Sequence, residues 1–358
     1  MSLQEKIKKR QININSKILD ALKQMDTIDK KLLLVFDEDR FINILSIGDI
    51  QRAILNGEDL SKKIEFVLRK NTKVAFEEDS FEDIKNIMEQ FRMELMPVID
   101  KNNRLIDVYF WEDVFKTKRI KKKSELSLPV IIMAGGKGIR MKPITNIIPK
   151  PLIPFGEKSM IEHIIEKFIQ VGCNQFHVSV NYKAEMIEFY FSQLKEKGYK
   201  IDFFKEDKPL GTAGSLNLLD GKIKTTFFVS NCDILIDDDY EEIYKYHKKN
   251  KNELTIVSAI KHYHIPYGTL DTGEKGVLKR ITEKPDLSFQ INTGFYIVEP
   301  HLLNEIPQDQ FFHITHLMQK ILDRGGKVGV YPISEGSWKD IGVWEEYLKN
   351  NINLNIGR

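Results

Sequence analysis

Residues 133–161 read MAGGKGIRMKPITNIIPKPLIPFGEKSMI, and the reading of this stretch decides the fold. It follows an apolar run, Leu128–Met133, that predicts a buried strand. Three glycines come next (Gly135, Gly136, Gly138), then Arg140 and a proline-rich tail carrying Lys150. Glycines let backbone N–H groups approach an anion closely, and Arg140 and Lys150 add positive charge, so the chemistry is that of a phosphate-binding loop. Neither G-x-x-x-x-G-K-[ST] nor G-x-G-x-x-G fits, which sets aside the Walker A and dinucleotide fingerprints.

Working outward toward the C-terminus, strands and helices alternate. The pattern predicts helix Met160–Val171, strand Gln175–Val180, helix Ala184–Leu194, strand Ile201–Phe204, helix Ala213–Leu219, strand Thr226–Val229, helix Asp239–Lys249 and strand Leu254–Ile260. That rhythm is α/β, a doubly wound and mostly parallel sheet, and ligands of such sheets sit at the carboxyl ends of strands. Chemistry is therefore expected just after each strand. The segments there are Asn181-Tyr182, Glu206–Gly214 (EDKPLGTAG), Ser230-Asn231-Cys232-Asp233, Pro266-Tyr267-Gly268, Glu283-Lys284-Pro285, Asn292-Thr293-Gly294-Phe295 and Trp338-Lys339-Asp340-Ile341-Gly342. Singly they are bland: Gly211–Gly214 reads as a helix start, Asp233 as a turn residue, Lys284 as a solvated loop. Together they hold two acids, Asp233 and Asp340, that can share Mg²⁺ with phosphate oxygens. Arg140, Lys150 and Lys284, on separate loops, suit two phosphorylated substrates held side by side.

The blocks resemble those of sugar-1-phosphate nucleotidyltransferases. That family's signature runs roughly A-G-G-x-G-T-R-L-x-P-x-T-x-x-x-P-K-P, and here Ala134-Gly135-Gly136-Lys137-Gly138-Ile139-Arg140-Met141-Lys142-Pro143-Ile144-Thr145 leads to Pro149-Lys150-Pro151. Leu210–Gly214, the acid after the central strand, Glu283–Pro285, Asn292–Gly294 and Trp338-x-Asp340-x-Gly342 follow in order, so the resemblance covers about residues 128–350. Two positions depart from it: Ile139 replaces the usual Thr, and Asn231-Cys232-Asp233 replaces the usual Gly-Asp.

The resemblance implies a Rossmann-like, GT-A-like domain over residues 128–358 and attack of a sugar-1-phosphate on the α-phosphorus of an NTP. Ala134, Gly135, Gly136 and Gly138 would cradle the nucleotide, Arg140 its triphosphate, and Lys150 its α-phosphate. Glu206, Gly211 and Thr212 would lie near the base, and Asn181, Tyr267, Gly268, Glu283, Lys284, Asn292 and Gly294 near the sugar phosphate. Asp233 and Asp340 would hold Mg²⁺. Leu-Gly-Thr-Ala-Gly resembles the version in mannose-1-phosphate guanylyltransferases, which favours GTP, with UTP, CTP and dTTP as alternatives. The sugar is left open among mannose, glucose, glucosamine and a heptose, and the product suits bacterial surface glycans or nonulosonic acids. The chain stops soon after Gly342, so the C-terminal β-helix of some relatives is expected to be absent.

Residues 1–115 read as a duplicated unit. Ser16 matches Ser80, Arg40 matches Arg104 and Asp49 matches Asp113, each 64 positions apart (80−16, 104−40, 113−49). Each copy predicts helix, strand, turn, strand and helix, a small α/β module rather than a solenoid. The order, with Gly48-Asp49-Ile50 opening the second helix, resembles the CBS domain. A tandem pair of that family forms a regulatory α+β domain that often takes an adenosine nucleotide and commonly associates, which implies a homodimer or higher homo-oligomer. Asp49 and Asp113 stand where the family often places a ribose-contacting acid; helix capping is the competing role. The second copy departs by Trp111-Glu112 in place of Ile47-Gly48. Residues 116–127 begin with the basic run KTKRIKKK, read as a solvated linker because no aromatics interleave with the charges.

The bulk figures exclude several classes. Apolar residues are 42% and charged residues 30% of 358, enough for real cores in two or three domains. A net charge of +2 implies no obligatory polyanion and no nucleic-acid partner. No apolar run reaches membrane-span length, and MSLQEKIKKR lacks a signal's apolar region. Two cysteines, Cys173 and Cys232, fit a reducing cytoplasm. His313 and His316 are read as packing or capping residues and Cys232 as a core residue. The rival from another class is a non-catalytic nucleotide sensor with a dead transferase domain; the full set Arg140, Lys150, Asp233, Lys284 and Asp340 argues against it.

Overall fold

The computed structural model describes residues 7–70, 72–91, 93–115, 125–194, 198–344 and 347–348. The chain divides into two compact units, Met1–Lys122 and Lys123–Arg358. The basic run Lys116–Lys123 and the side chain of Asp113 lie outside what is described.

In the first unit the repeat is built twice. The first copy is β1 (Gln11–Asn13), α1 (Ile18–Ile28), β2 (Leu32–Asp37), β3 (Arg40–Ser46) and α2 (Ile47–Leu55). The second is β4 (Ala75–Phe76), α3 (Phe81–Phe91), β5 (Leu95–Ile99), β6 (Leu105–Phe110) and α4 (Trp111–Phe115). In each, the first strand runs parallel to the second and the second antiparallel to the third. The copies share a core in which Leu34 and Phe41 of one meet Leu95, Ile99 and Val108 of the other. Their turns touch where Arg40 bridges Arg104.

The second unit begins its sheet at β7 (Val130–Met133), in which Val130, Ile131 and Ile132 are buried, as a strand covered on both faces requires. Val130 and Ile132 enter one apolar cluster and Ile131 the other, so the alternation of the strand feeds both faces. A short hairpin follows, β8 (Pro154–Phe155) with β9 (Lys158–Ser159), then α5 (Met160–Gln170), β10 (Gln175–Val180), α6 (Ala184–Gln193) and β11 (Lys200–Lys205). Next come β12 (Phe227–Asn231), β13 (Ile234–Ile236), α7 (Tyr240–Lys249), β14 (Leu254–His264), β15 (Thr269–Thr272) and β16 (Leu278–Thr282). The chain continues through β17 (Asp286–Val298), α8 (Ile314–Asp323), β18 (Val328–Ser334) and β19 (Trp338–Asp340). Sheet order is β11-β10-β7-β12-β17-β14-β18. Helix starts follow capping chemistry. Ser159 and Glu162 form a capping box on α5, and Asp239 accepts from the N–H groups of Glu241 and Glu242 at α7. One face of α5 (Ile161, Ile164, Ile165, Phe168) packs on the sheet, where Phe168 stacks on Phe295 at 5.6 Å.

The expected parallel sheet is present, with three differences in detail. The block Asn292–Phe295, expected in a loop, lies inside β17, which runs antiparallel to both β12 and β14. Trp338–Asp340, also expected as loop, is a strand paired with β13. The predicted helix Ala213–Leu219 is a 3-10 turn, Gly214–Leu219. Gly211 (φ +82°) and Gly214 press against the carbonyls of Phe312 and Gln310 there, and the backbone cannot wind as an α-helix while making that approach.

Behind the sheet, His247 of α7 is fully buried, with Nδ1 2.8 Å from Thr255 Oγ1 and Nε2 3.1 Å from Glu299 Oε1. Burial pushes its pKa below the ordinary 6.5, and the neighbouring Glu299 only partly offsets this. The unfolded chain takes up a proton near 6.5 while native His247 resists, so stability is full above that value and is lost as pH falls below it. Urea midpoints measured between about pH 7.5 and 5.5 should fall with pH, and His247→Gln should flatten that slope. His177, also lowered by burial, remains in the variant as a residual slope.

Candidate active site

Four charged side chains from distant parts of the sequence meet beyond the carboxyl end of β12. The loop after β7 turns sharply at Gly138 (φ +62°), where a side chain would press on Thr145 and Lys150. Thr145, buried, donates to the Gly138 carbonyl at 3.0 Å and closes this loop on itself. Beyond Gly138, a 3-10 turn (Ile139–Met141) presents Arg140, and a second one (Lys150–Leu152) presents Lys150. Tyr182 and Lys183 donate to carbonyls of Thr145, Asn146 and Ile147, and Trp344 Nε1 donates to Lys142 O at 3.0 Å.

One acid, Asp233, lies in the turn between β12 and β13, and the other, Asp340, ends β19. The antiparallel pairing of β13 with β19 sets Ile234 opposite Asp340, and Ile341 N donates to Asp233 O at 2.9 Å, so the two carboxylates become neighbours. Lys150 Nζ donates to Asp233 Oδ2. Arg140 Nη2 lies 3.3 Å from the same oxygen, and Nη1 lies 3.4 Å from Asp340 Oδ2. The Lys150 and Asp233 side chains are 9% and 8% exposed, so this is a buried ion pair that stands because each charge has its partner. Arg140, by contrast, is 55% exposed. Gly342 belongs to the same construction: a Cβ there would collide with Asp233 Oδ2 and Lys150 Nζ.

Around the glycine loop, Gly135 packs on Glu206 and Asn181. Asn181, expected near the sugar, donates to Glu206 O at 2.6 Å on the nucleotide-loop side. The buried Glu206 carboxylate accepts from Ser179 Oγ at 2.5 Å and from Leu210 N at 3.1 Å, which ties the glycine loop to the Leu210–Gly214 turn. Thr212 is committed to α8: its hydroxyl accepts from Ile314 N at 3.0 Å and lies 3.2 Å from His313 Nδ1. His313 and His316 form the cap of that helix, as their capping reading expected. Ala134 is buried at the end of β7, Gly136 has open space around its Cα, and Ile139 is 67% exposed at the loop tip.

The other expected residues lie in the turns before β17 and on β17 itself. Gly268 packs against Glu283, Tyr267 is 74% exposed, and Lys284 is exposed in a left-handed backbone conformation (φ +43°). Lysine reaches that region only with strain of about 1–3 kcal/mol, a feature that concentrates at ligand sites. A bulge between Val257 and Ser258 of β14 displaces two residues of β17, Thr293 and Gly294. Thr293 caps the bulge by donating to Val257 O at 2.7 Å, and Gly294 (φ +84°) leaves room for the Asn231 side chain directly over it. Asn231, Thr293 and Gly342 are the residues that sequence reasoning quoted without a role. Their signal was adjacency to Asp233, Asn292 and Asp340. Cys232 is buried beside Asp233, and burial first, then that carboxylate, pushes its thiol up to about 12, away from thiolate character.

In the first unit, Asp49 accepts from Ser46 N (2.9 Å), Ser46 Oγ (2.6 Å) and Arg69 Nε (2.6 Å), and pairs with Arg52. It is a capping acid held by two cations. A cleft of about 410 Å³ in that unit is lined by Ile12, Phe36, Glu38, Asp39 and Leu105 among others. Among the described residues no helix is long and apolar enough to cross a membrane.

A parallel-rich α/β sheet with acids and cations gathered beyond its strand ends is the arrangement in which open α/β domains carry their ligand sites. Residues 129–355 match the sequence model of the Nucleotidyl transferase family, and the chain belongs to that family. A mannose-1-phosphate guanyltransferase of Gibberella zeae is 32% identical over 226 residues, 61% of this chain and 62% of that protein. The Saccharomyces cerevisiae protein of the same description is 32% identical over 230 residues, 62% of this chain and 63% of its own length. The Xenopus tropicalis mannose-1-phosphate guanylyltransferase catalytic subunit beta is 33% identical over 230 residues, with the same shares of 62% and 63%. The chain thus spans under two thirds of these relatives' length. A crystal structure of a putative glucose-1-phosphate thymidylyltransferase from Bacillus anthracis in complex with a sucrose shares the fold, with TM-score 0.50 and 23% identity over 63% of this chain and 95% of that one.

Because Gly342 is packed on the buried pair, Gly342→Ala should destabilise the protein by about 1–3 kcal/mol in chemical denaturation, the range for overpacking a close-packed site. An unchanged midpoint would show that the pair yields without cost.

Proposed function

We propose that the chain is a sugar-1-phosphate nucleotidyltransferase. One observation carries the reading: Arg140, Lys150, Asp233 and Asp340 form a single charged cluster at the end of the glycine loop. In this reaction a phosphate oxygen of the sugar-1-phosphate attacks the α-phosphorus of the NTP. A new P–O bond forms, the bond from that phosphorus to the bridging oxygen breaks, and pyrophosphate leaves with the electron pair. The nucleophile is already an anion, so no general base is required, and catalysis is positioning plus charge stabilisation.

Each residue then takes a role. The backbone of Ala134, Gly135, Gly136 and Gly138 cradles the nucleotide phosphates, Arg140 meets the triphosphate, and Lys150 stands beside the α-phosphate. Glu206, Gly211 and Thr212 shape the base side; the buried Glu206 and the committed Thr212 hydroxyl support a framework role there. Asn181 joins them. Tyr267, Gly268, Glu283, Lys284, Asn292 and Gly294 receive the sugar phosphate, with Asn231 over Gly294. The Asp233 and Asp340 carboxylates are hard oxygen donors adjacent enough for one guanidinium to span, a set that suits Mg²⁺. When bound, Mg²⁺ supplies charge neutralisation on the phosphates. The guanyltransferase relatives and Leu-Gly-Thr-Ala-Gly support GTP and mannose-1-phosphate, ahead of UTP, CTP or dTTP and other sugars. The product serves bacterial surface glycan or nonulosonic acid synthesis in the cytoplasm.

The first unit reads as a regulatory CBS pair, supported by its two identically wired copies. We place an adenosine nucleotide and a homodimer contact there. Asp49, already held by Arg52 and Arg69, favours its structural role over ribose binding.

Pyrophosphate release over four NTPs and a panel of sugar-1-phosphates should give turnover with GTP and mannose-1-phosphate; no release from any pair would refute the assignment. Asp233→Asn should cut kcat at least about a hundredfold, with circular dichroism checking that the fold survives the loss of Lys150's charged partner. Lys284→Ala should raise the sugar-phosphate KM with little change in that for NTP. AMP or ATP added to the assay should alter the rate if the first unit regulates.

A further inference from the structure

We propose that Arg140 is a latch on the Asp233–Asp340 carboxylate pair, so that a divalent cation enters this site only together with a nucleotide. The inference rests on the reading of the two acids as metal ligands. Both acids are already paired. Arg140 spans them, with Nη2 at 3.3 Å from Asp233 Oδ2 and Nη1 at 3.4 Å from Asp340 Oδ2, and Lys150 holds Asp233 from the buried side. Gly342 N donates to Asp340 Oδ1 at 3.0 Å, which leaves Oδ2 for the guanidinium.

The two cations are not equivalent. The Lys150 and Asp233 side chains are 9% and 8% exposed, and separating them would strand a buried charge. Arg140 is 55% exposed, its contacts are long, and it sits on a surface turn, so its ion pairs are screened and weak. It can swing outward on its own side chain without moving Gly138 or Thr145. Two acids balanced by two cations form a neutral cluster. A divalent ion arriving alone must displace the guanidinium and leaves the cluster with uncompensated positive charge. A triphosphate removes that obstacle, because it is itself the stronger partner for Arg140 and adds negative charge beside the acids. The latch thereby makes nucleotide and metal binding mutually dependent, as any coupling between two ligands must be.

The test is manganese(II) binding to the full chain, read by the electron paramagnetic resonance signal of the free ion, with no substrate and with GTP alone. Wild type without nucleotide should bind weakly, and GTP should tighten binding. Arg140→Gln without nucleotide should bind manganese(II) about tenfold more tightly than wild type, because the guanidinium no longer competes for the two carboxylates while Lys150 still holds Asp233. Asp233→Asn or Asp340→Asn in the Arg140→Gln background should remove that gain; Asp340 lies outside the buried pair, so its variant serves if Asp233→Asn does not fold. If Arg140→Gln binds no more tightly than wild type while Asp340→Asn still abolishes binding with GTP, the latch is overturned and the metal site stands. If manganese(II) binding ignores both acid substitutions, the metal site itself is overturned, and the latch with it.

Discussion

The buried pair between Lys150 and Asp233 is the constraint on which the rest of the site depends. Two charges taken out of water cost several kcal/mol each unless they meet at close range. The chain satisfies this with local geometry drawn from three directions. A proline-flanked turn delivers Lys150, the end of β12 delivers Asp233, and Gly342 at the end of β19 stays bare so that the two can touch. Lys150 and Asp233 are 83 residues apart, and Arg140 and Asp340 are 200 apart, so no local segment could assemble this cluster. It exists only once β7, β12 and the β13–β19 pair are in place.

The antiparallel strand β17 has the corresponding role for the other half of the site. A fully parallel sheet would leave each functional block in a loop at a strand's end. By running antiparallel between β12 and β14, β17 carries its block past the end of β12, and the bulge opposite Val257 sets Gly294 against Asn231. Thr293 satisfies the Val257 carbonyl at the bulge. The left-handed backbone at Lys284 is a further departure from regular structure, and it too stands in a block proposed for the sugar phosphate.

The first unit shows the same chemistry used for a structural end. Asp49 is buried and charged and is matched by Arg52 and Arg69, as Asp233 is by Lys150 and Arg140. Here, however, the acid also closes a capping box with Ser46, so its position is set by the helix that it starts. The sequence places both acids after strands in similar surroundings; the partners that surround them in space separate a capping acid from one gathered into a charged cluster.

Much of the fold was legible in the sequence because it is encoded locally. The buried run before the glycine loop, the capping residues Ser159 and Asp239, the apolar face of α5 and the 64-residue repeat all act through near neighbours or through periodicity. The charged residues were legible as candidates for the same reason, since each stands in a short block beside a strand end or a glycine loop. Three things were decided by tertiary structure alone. The direction of β17 is a matter of pairing, to which a strand's own pattern is indifferent. The 3-10 form of Gly214–Leu219 is imposed by the carbonyls of Gln310 and Phe312, about a hundred residues away. The meeting of Arg140 with both Asp233 and Asp340 depends on the register of β13 against β19. Periodicity reports which face of an element is buried, but a charge finds its partner only through the relative placement of elements, and that is fixed by the packed core as a whole.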